Sequence, residues 1–257
     1  MNAFKLTALT LVMAASATAA QAADILTIPD VTVSGSVAAT TDYMFRGVSQ
    51  TGSDPAIQGS LMASHTSGLY AGVWASSVAG GVNKDGSEMD FSVGYTMPLA
   101  LTPTLSSTLD VGYTRYAYAG SGADVDFNEF YAKNSFANSL MTDDSLTLGV
   151  AYSNDYFNES DQYFYVSGDY SAPITGTNFG MVAHVGYNKF DDNFAMSKAL
   201  GTNPNAGDDY IDYKVGATFG VQGLGAELAY VGSDLDNSDC GTESCEGRVV
   251  LSLSKSF

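Results

Sequence analysis

Charge is scarce in this sequence, and positive charge scarcer still. Only 15% of its 257 residues are charged, with 10 Lys and Arg against 28 Asp and Glu and a net charge of −18. Soluble domains carry about a quarter charged residues, so this composition does not build an ordinary water-facing surface. The acidic balance excludes nucleic acid as a partner, because phosphate backbones bind basic surfaces. It points instead to an acidic mouth or acidic loops that concentrate cations. Histidine occurs only at His65 and His184, and cysteine only at Cys240 and Cys245. Two cysteines so close together, with no histidine nearby, predict one local disulfide in an exported chain rather than a metal site. Neither a metal nor a cofactor is expected.

Long apolar runs are also missing. Lys5, the short apolar stretch Leu6 to Ala15 and the Ala20-Gln21-Ala22 triplet together read as a secretory signal peptide over residues 1–23. Nothing later is apolar for long enough to span a membrane as a helix. An exported chain without a helical anchor is periplasmic, secreted or an outer-membrane barrel.

What is plentiful separates these. There are 27 Gly, 16 Tyr and 13 Phe. Low charge with many glycines and aromatics fits a barrel whose wall faces lipid and whose rims are aromatic. In the closing stretch, Gly247–Phe257, the residues Val249, Leu251, Leu253 and Phe257 share one face. Arg248, Ser252, Ser254 and Ser256 share the other. A period of two with one apolar face marks a half-buried strand. A final strand of this shape resembles the seam of bacterial outer-membrane barrels, with Lys255 where an apolar residue is more usual.

Similar alternation recurs between turn residues at Val31–Thr40, Ala56–His65, Leu69–Val78, Glu88–Met97 and Thr104–Tyr116. A span near Val125–Phe136 is ambiguous in phase. Then come Ser145–Ser153, Gln162–Tyr170, Asn178–Asn188, Tyr210–Phe219 and Leu224–Val231. With the closing strand these predict an all-β, antiparallel up-and-down transmembrane barrel of about twelve strands over residues 24–257. Connections sort by parity. Thr66–Gly68 and Val221–Gly223 are tight, whereas Thr41–Pro55, Asp191–Asp209 and Ser233–Glu246 are long. Short periplasmic turns and long outer loops belong to this architecture. A soluble sandwich has no reason to sort loops this way and needs a second sheet to cover Phe91 and Tyr95. Twelve strands lie between the packed interior of eight and the open channel of sixteen, so a narrow lumen is expected.

The inward phase is expected to carry Asp90, Asp110, Asp169, Asp212 and Glu227 against Arg115, Lys214 and Arg248, since charge facing lipid is costly. Such residues either hold the cylinder rigid through ion pairs or line a selective path. Asp191, Asp192, Asp208 and Asp209 flank one acidic loop, and Asp234, Asp236, Asp239, Glu243 and Glu246 crowd another. Neither has calcium-loop spacing, so solvated charge is the plain reading. A hydrolase needs a nucleophile beside a base. His65 lies at a tight turn, and the same-face neighbours of His184 are Val182 and Gly186, so no catalytic residue is expected.

One stretch is more particular than periodicity requires. It is Asp42-Tyr43-Met44-Phe45-Arg46-Gly47-Val48-Ser49-Gln50-Thr51, then Pro55-Ala56-Ile57-Gln58-Gly59, then Ser67 to Ser76. These blocks resemble the Gcw_chp family of proteobacterial outer-membrane proteins of uncharacterised function. The resemblance implies an outer-membrane barrel and names no substrate. Within the motif, Arg46 is expected either to contact solute at the mouth or to act as a clamp. As a clamp it pairs with Asp42 or another barrel carboxylate and stacks on Tyr43 or Phe45.

These readings predict a monomeric barrel in outer-membrane lipid, inserted by the barrel-assembly machinery. Its leading role is a narrow channel for passive passage of small polar or cationic solutes. The alternative is a closed structural, adhesion or partner-docking barrel acting through its acidic loops.

Overall fold

The computed structural model describes residues 28–78, 86–100, 106–119, 125–240 and 243–257. The expected signal peptide lies outside them, as do Thr104 and Leu105. In chain order, β1 (Val31–Thr40) is followed by a short ribbon, β2 (Met44–Phe45) and β3 (Val48–Ser49). Next come β4 (Ala56–His65), β5 (Leu69–Val78), β6 (Gly86–Ala100), β7 (Ser106–Ala119), β8 (Phe127–Ala137), β9 (Ser145–Ser153), β10 (Tyr163–Pro173) and β11 (Phe179–Phe190). A helix, α1 (Asn193–Leu200), precedes β12 (Asp209–Val221) and β13 (Leu224–Ser233). A helical turn α2 (Asn237–Cys240) and a 3₁₀ turn (Glu243–Cys245) lead into β14 (Arg248–Ser256).

Apart from the ribbon, the strands form one closed antiparallel barrel, each paired with its sequence neighbours and β1 with both β4 and β14. Closure satisfies every strand edge, which a chain in hydrocarbon requires. The seam continues past the last ladder pair. Phe257 N–H donates to Gly35 O at 3.0 Å and Gly35 N–H donates to Phe257 O at 2.9 Å. Gly35 is needed there, because a Cβ would lie 2.7 Å from the Phe257 ring.

The outer wall is apolar. Ile57 is 67% exposed, Val215 62%, Phe130 57% and Val93 54%. So continuous a hydrophobic surface is not left in water. Aromatic pairs mark both ends of this belt, Phe179 with Phe219 at 5.1 Å and Tyr213 with Tyr230 at 6.2 Å. No helix among the described residues could cross a membrane, and the strands do so instead. A twelve-stranded barrel with this belt is an outer-membrane protein.

Inside, the β5–β8 side is filled. Tyr70 pairs in register with Gly94, Gly94 with Gly112, and Gly112 with Tyr131. Both tyrosines lie over the glycines, where a Cβ would come 2.3 Å from the Tyr70 hydroxyl and 2.5 Å from that of Tyr131. The two hydroxyls meet, and Tyr70 donates to Asp110 at 2.7 Å.

One expectation needs correction. Arg115 does not face the lumen: Asp110 and Thr114 are buried on the inward phase, and Arg115 has the opposite parity in an unbroken strand. It pairs with Asp126 at 2.9 Å and donates to Asn128 at 3.2 Å. The long Asp191–Asp209 connection contains α1, capped by Asp192 accepting from Ala195 N–H and by Gly201 at φ 71°.

Candidate functional site

The segment after β1 turns into the barrel. Its ribbon pairs Met44 with Ser49 and Phe45 with Val48. Arg46 and Gly47 form the tip with φ 48° and 77°, a left-handed pair of the kind that closes two-residue hairpins. Only glycine fits the second position, because a Cβ would lie 2.6 Å from Gly232 O and 2.9 Å from the Asp212 Cβ. The tip therefore rests on the β12–β13 wall. Asp42 anchors the base. Its Oδ1 accepts from Ser49 and Thr51 hydroxyls at 2.7 Å each, and its Oδ2 accepts from Arg248 at 3.0 Å. Gln50 donates to Val48 O at 3.1 Å and stays within the ribbon.

From that tip, Arg46 reaches Glu129 on β8. Two parallel hydrogen bonds join them, at 2.7 and 2.9 Å. The guanidinium stacks on Tyr165 at 4.1 Å and on Phe45 at 4.8 Å. The Tyr210 hydroxyl donates to Arg46 O at 3.1 Å, and that of Tyr116 to Glu129 at 3.0 Å. A bidentate pair with stacked faces uses what distinguishes arginine from lysine. The side chains retain 9% and 3% exposure, so this pair is desolvated and each charge depends on the other.

On the long-loop side of the ribbon lies a packed layer. Val48 joins Phe127, Tyr156, Tyr163, Phe190, Met196 and Tyr210 in one buried cluster that includes Cys240 and Cys245. Those cysteines form the predicted disulfide. The loop carrying it also meets the ribbon through Arg248, which donates to Glu243 O as well as to Asp42. Described loops thus cap the barrel end from which the ribbon descends.

Beyond the ribbon, toward the tight turns, lies a cavity of about 430 Å³. Its walls carry the carboxylates Asp42, Asp90, Glu129, Asp169, Asp212 and Glu227. Basic groups there are Arg46, Lys133, Lys214 and His184. His184 sits between two acids, Nδ1 on Asp169 at 2.7 Å and Nε2 on Asp212 at 2.8 Å, with the Tyr165 hydroxyl 3.0 Å from Nε2. Lys214 pairs with Glu227 at 3.1 Å. Lys133 lies 5.0 Å from the Tyr131 ring centre.

Of the residues singled out in the sequence, Asp90, Asp169, Asp212, Lys214 and Glu227 border this cavity, as do Asp42, Tyr43, Phe45, Arg46 and Gly47. Asp110 faces inward but is engaged by Tyr70. Arg248, Ser49 and Gln50 brace the ribbon. Glu129, Lys133 and Tyr165 were missed. Phe127 and Glu129 both point inward, so β8 lacks the clean apolar–polar alternation that assigns faces. His65 Nδ1 lies 2.8 Å from Ser67 Oγ at an exposed turn, where the pair shapes the turn. Among the described residues no group of three or more His, Cys, Asp or Glu is disposed to hold a metal ion.

A model of bacterial proteins of unknown function, Gcw_chp, matches residues 27–257. No curated protein matches the sequence. Among solved structures, the KdgM porin in complex with disordered oligogalacturonate is similar at TM-score 0.57 and 8% identity, covering 87% of this chain and 99% of that one. The KdgM porin alone gives TM-score 0.56 and 9% identity over 87% and 99% of the two chains. LpxR from Salmonella typhimurium gives TM-score 0.47 and 10% identity over the same shares. At these identities the likeness is one of fold.

Proposed function

The chain belongs to the Gcw_chp family of bacterial proteins of unknown function, and from its geometry we propose that it is a constricted, non-enzymatic channel for small polar or cationic solutes. One observation carries this reading. Below the inserted ribbon lies a cavity of about 430 Å³ bordered by six carboxylates, Asp42, Asp90, Glu129, Asp169, Asp212 and Glu227, against Arg46, Lys133, Lys214 and His184. Charged walls around a narrow space select by sign. An acidic lumen disfavours a polyanion such as the oligogalacturonate named with KdgM, and favours small cations or neutral polar molecules. Diffusion supplies the driving force, Asp169 offers an exposed carboxylate, and the ribbon sets the width. Arg46 and Glu129 hold the ribbon across the path. We assign residues 24–257 to the barrel, residues 1–23 to the signal peptide, insertion to the barrel-assembly machinery, and monomeric function in outer-membrane lipid.

A second reading has its own support. The buried cluster of Val48, Phe127, Tyr156, Tyr163, Phe190 and Met196 caps the loop end, as a closed barrel acting through its loops requires. Planar-bilayer recording separates the two. Ohmic, cation-preferring conductance from the folded full chain supports the channel. Silence from folded protein overturns it in favour of the closed barrel.

A further inference from the structure

Among the described residues, no salt bridge reaches two inward carboxylates on β6. Glu88 and Asp90 are two residues apart on the same face, 1% and 5% exposed. Glu88 is in register with Ser76 and Tyr118, and Asp90 with Trp74 and Tyr116. Tyr43, at the base of the ribbon, covers them. Its hydroxyl donates to Glu88 Oε1 at 3.3 Å and its ring lies 5.2 Å from that of Trp74. Tyr118 also hydrogen-bonds Glu88, and the two acids touch each other, yet among the described residues Glu88 Oε2 and Asp90 Oδ1 are buried with no further hydrogen-bond partner. The charges of Glu88 and Glu129 both bear on Asp90. The guanidinium on this side, Arg46, is taken by Glu129 in a bidentate pair.

Two buried carboxylates without a counter-charge cost several kcal/mol each when ionised, so something positive belongs between these two. We propose that Glu88 and Asp90 hold one singly charged, weakly hydrated cation, with Tyr43 and Trp74 supplying π faces in place of water. Aromatic faces attract such cations once they are desolvated. A strongly hydrated divalent ion wants about six to eight oxygen ligands, and two carboxylates between aromatic rings do not supply them. The way in is the cavity, since Tyr43, Trp74 and Asp90 all border it. An alkali ion and a protonated primary amine share this chemistry.

The site carries its own reporter, because Trp74 is the only tryptophan in the chain. Caesium quenches tryptophan on contact. At 6% exposure, Trp74 meets few free ions, so quenching without a site is weak and linear in concentration. The full chain in detergent should instead show saturable quenching by caesium at constant ionic strength. Competition by potassium alone identifies an alkali site, and competition by methylammonium an amine site. Glu88→Gln and Asp90→Asn should each weaken half-saturation about tenfold, as expected for one charged contact, and the double variant should abolish it. Tyr43→Phe, which keeps the ring, should weaken it less. Retained heat-modifiable gel mobility certifies that each variant is folded. Linear quenching in the parent protein overturns the site, as does unchanged saturation in the folded variants. A tryptophan response to pH but not to cations overturns it as well, in favour of a proton shared between the acids. Access rests on the channel reading, but equilibrium binding in detergent does not. Saturable quenching with a silent bilayer overturns the channel alone, and conduction with linear quenching overturns the site alone.

Discussion

Arg46 and Glu129 lie 83 residues apart in sequence and meet inside the barrel through hydrogen bonds of 2.7 and 2.9 Å. The first sits on a ribbon that descends from the seam region, the second on the wall at β8. Their pairing converts a loop into a partition across the lumen, and its removal should be felt both as stability and as flow.

Removing one partner leaves the other charge buried and alone, which costs about 3–5 kcal/mol. Glu129→Ala and Arg46→Ala should therefore lower the urea midpoint of unfolding and raise single-channel conductance. The double substitution Arg46→Met with Glu129→Leu should recover most of the stability, because apolar replacements of a buried pair are often neutral. It should still conduct more than the parent, since the ribbon is no longer latched. Unchanged conductance in all three folded variants would count against the partition.

The barrel was legible because lipid on one side and water or packing on the other impose a period of two. Ala56–His65, Leu69–Val78 and Ser145–Ser153 run in the structure between the same residues as in the sequence pattern. The signal fails where inward residues are themselves large and apolar. Phe127 is 1% exposed beneath the cap while Phe130, three residues on, is 57% exposed toward lipid, so β8 shows aromatics on both faces. The ribbon was illegible for another reason. It has two residues per strand, too few for any period, and its position depends on Arg46 finding a carboxylate far along the chain. Arg115 was misplaced by treating its charge as a guide to facing when its parity said otherwise. Long-range pairs such as Asp42 with Arg248 and His184 with Asp212 leave no local trace in sequence.

Charge selectivity should follow accessibility rather than the mere inward phase. Asp169 borders the cavity and its side chain is 41% exposed, whereas Asp110 is 5% exposed and holds the Tyr70 hydroxyl. Asp169→Asn should move the reversal potential in a salt gradient toward zero, because it removes an exposed charge from the path. Asp110→Asn should leave selectivity nearly unchanged and cost stability, about 1–3 kcal/mol for disturbing a buried hydrogen bond. The reverse ranking would show that ions pass on the β5–β8 side.

Gly94 and Gly112 let two tyrosine rings lie flat across neighbouring strands, with the hydroxyls at 2.3 and 2.5 Å from where Cβ atoms would stand. Gly94→Val should push Tyr70 off Asp110 and cost about 1–3 kcal/mol through overpacking. Unfolding in lipid vesicles reads this directly. Pairing Gly94→Val with Tyr70→Ala should relieve the clash, so the double variant should lose less than the sum of the singles. Strict additivity would mean that the ring does not rest on the glycine.

The turn between β8 and β9 offers a test by pH. Asp144 accepts from Leu140 and Met141 N–H at 2.8 Å each, from Ser139 N–H, and from the Tyr170 hydroxyl at 3.1 Å. Desolvation works to raise the pKa of this carboxyl, but the N–H donors of Leu140, Met141 and Ser139 outweigh it and hold it below its ordinary value. A depressed folded value stabilises the charged form. The contribution is whole above the unfolded value of about 3.9, and it is lost as pH falls through the lower, folded one. Asp144→Asn keeps the shape and removes the charge, so the variant should be less stable than the parent at neutral pH. Because the parent alone sheds this stabilisation in acid, the gap between the two urea midpoints should close as pH falls below about 3.9. A gap that stays constant into strong acid would mean that geometry, not ionisation, holds the turn.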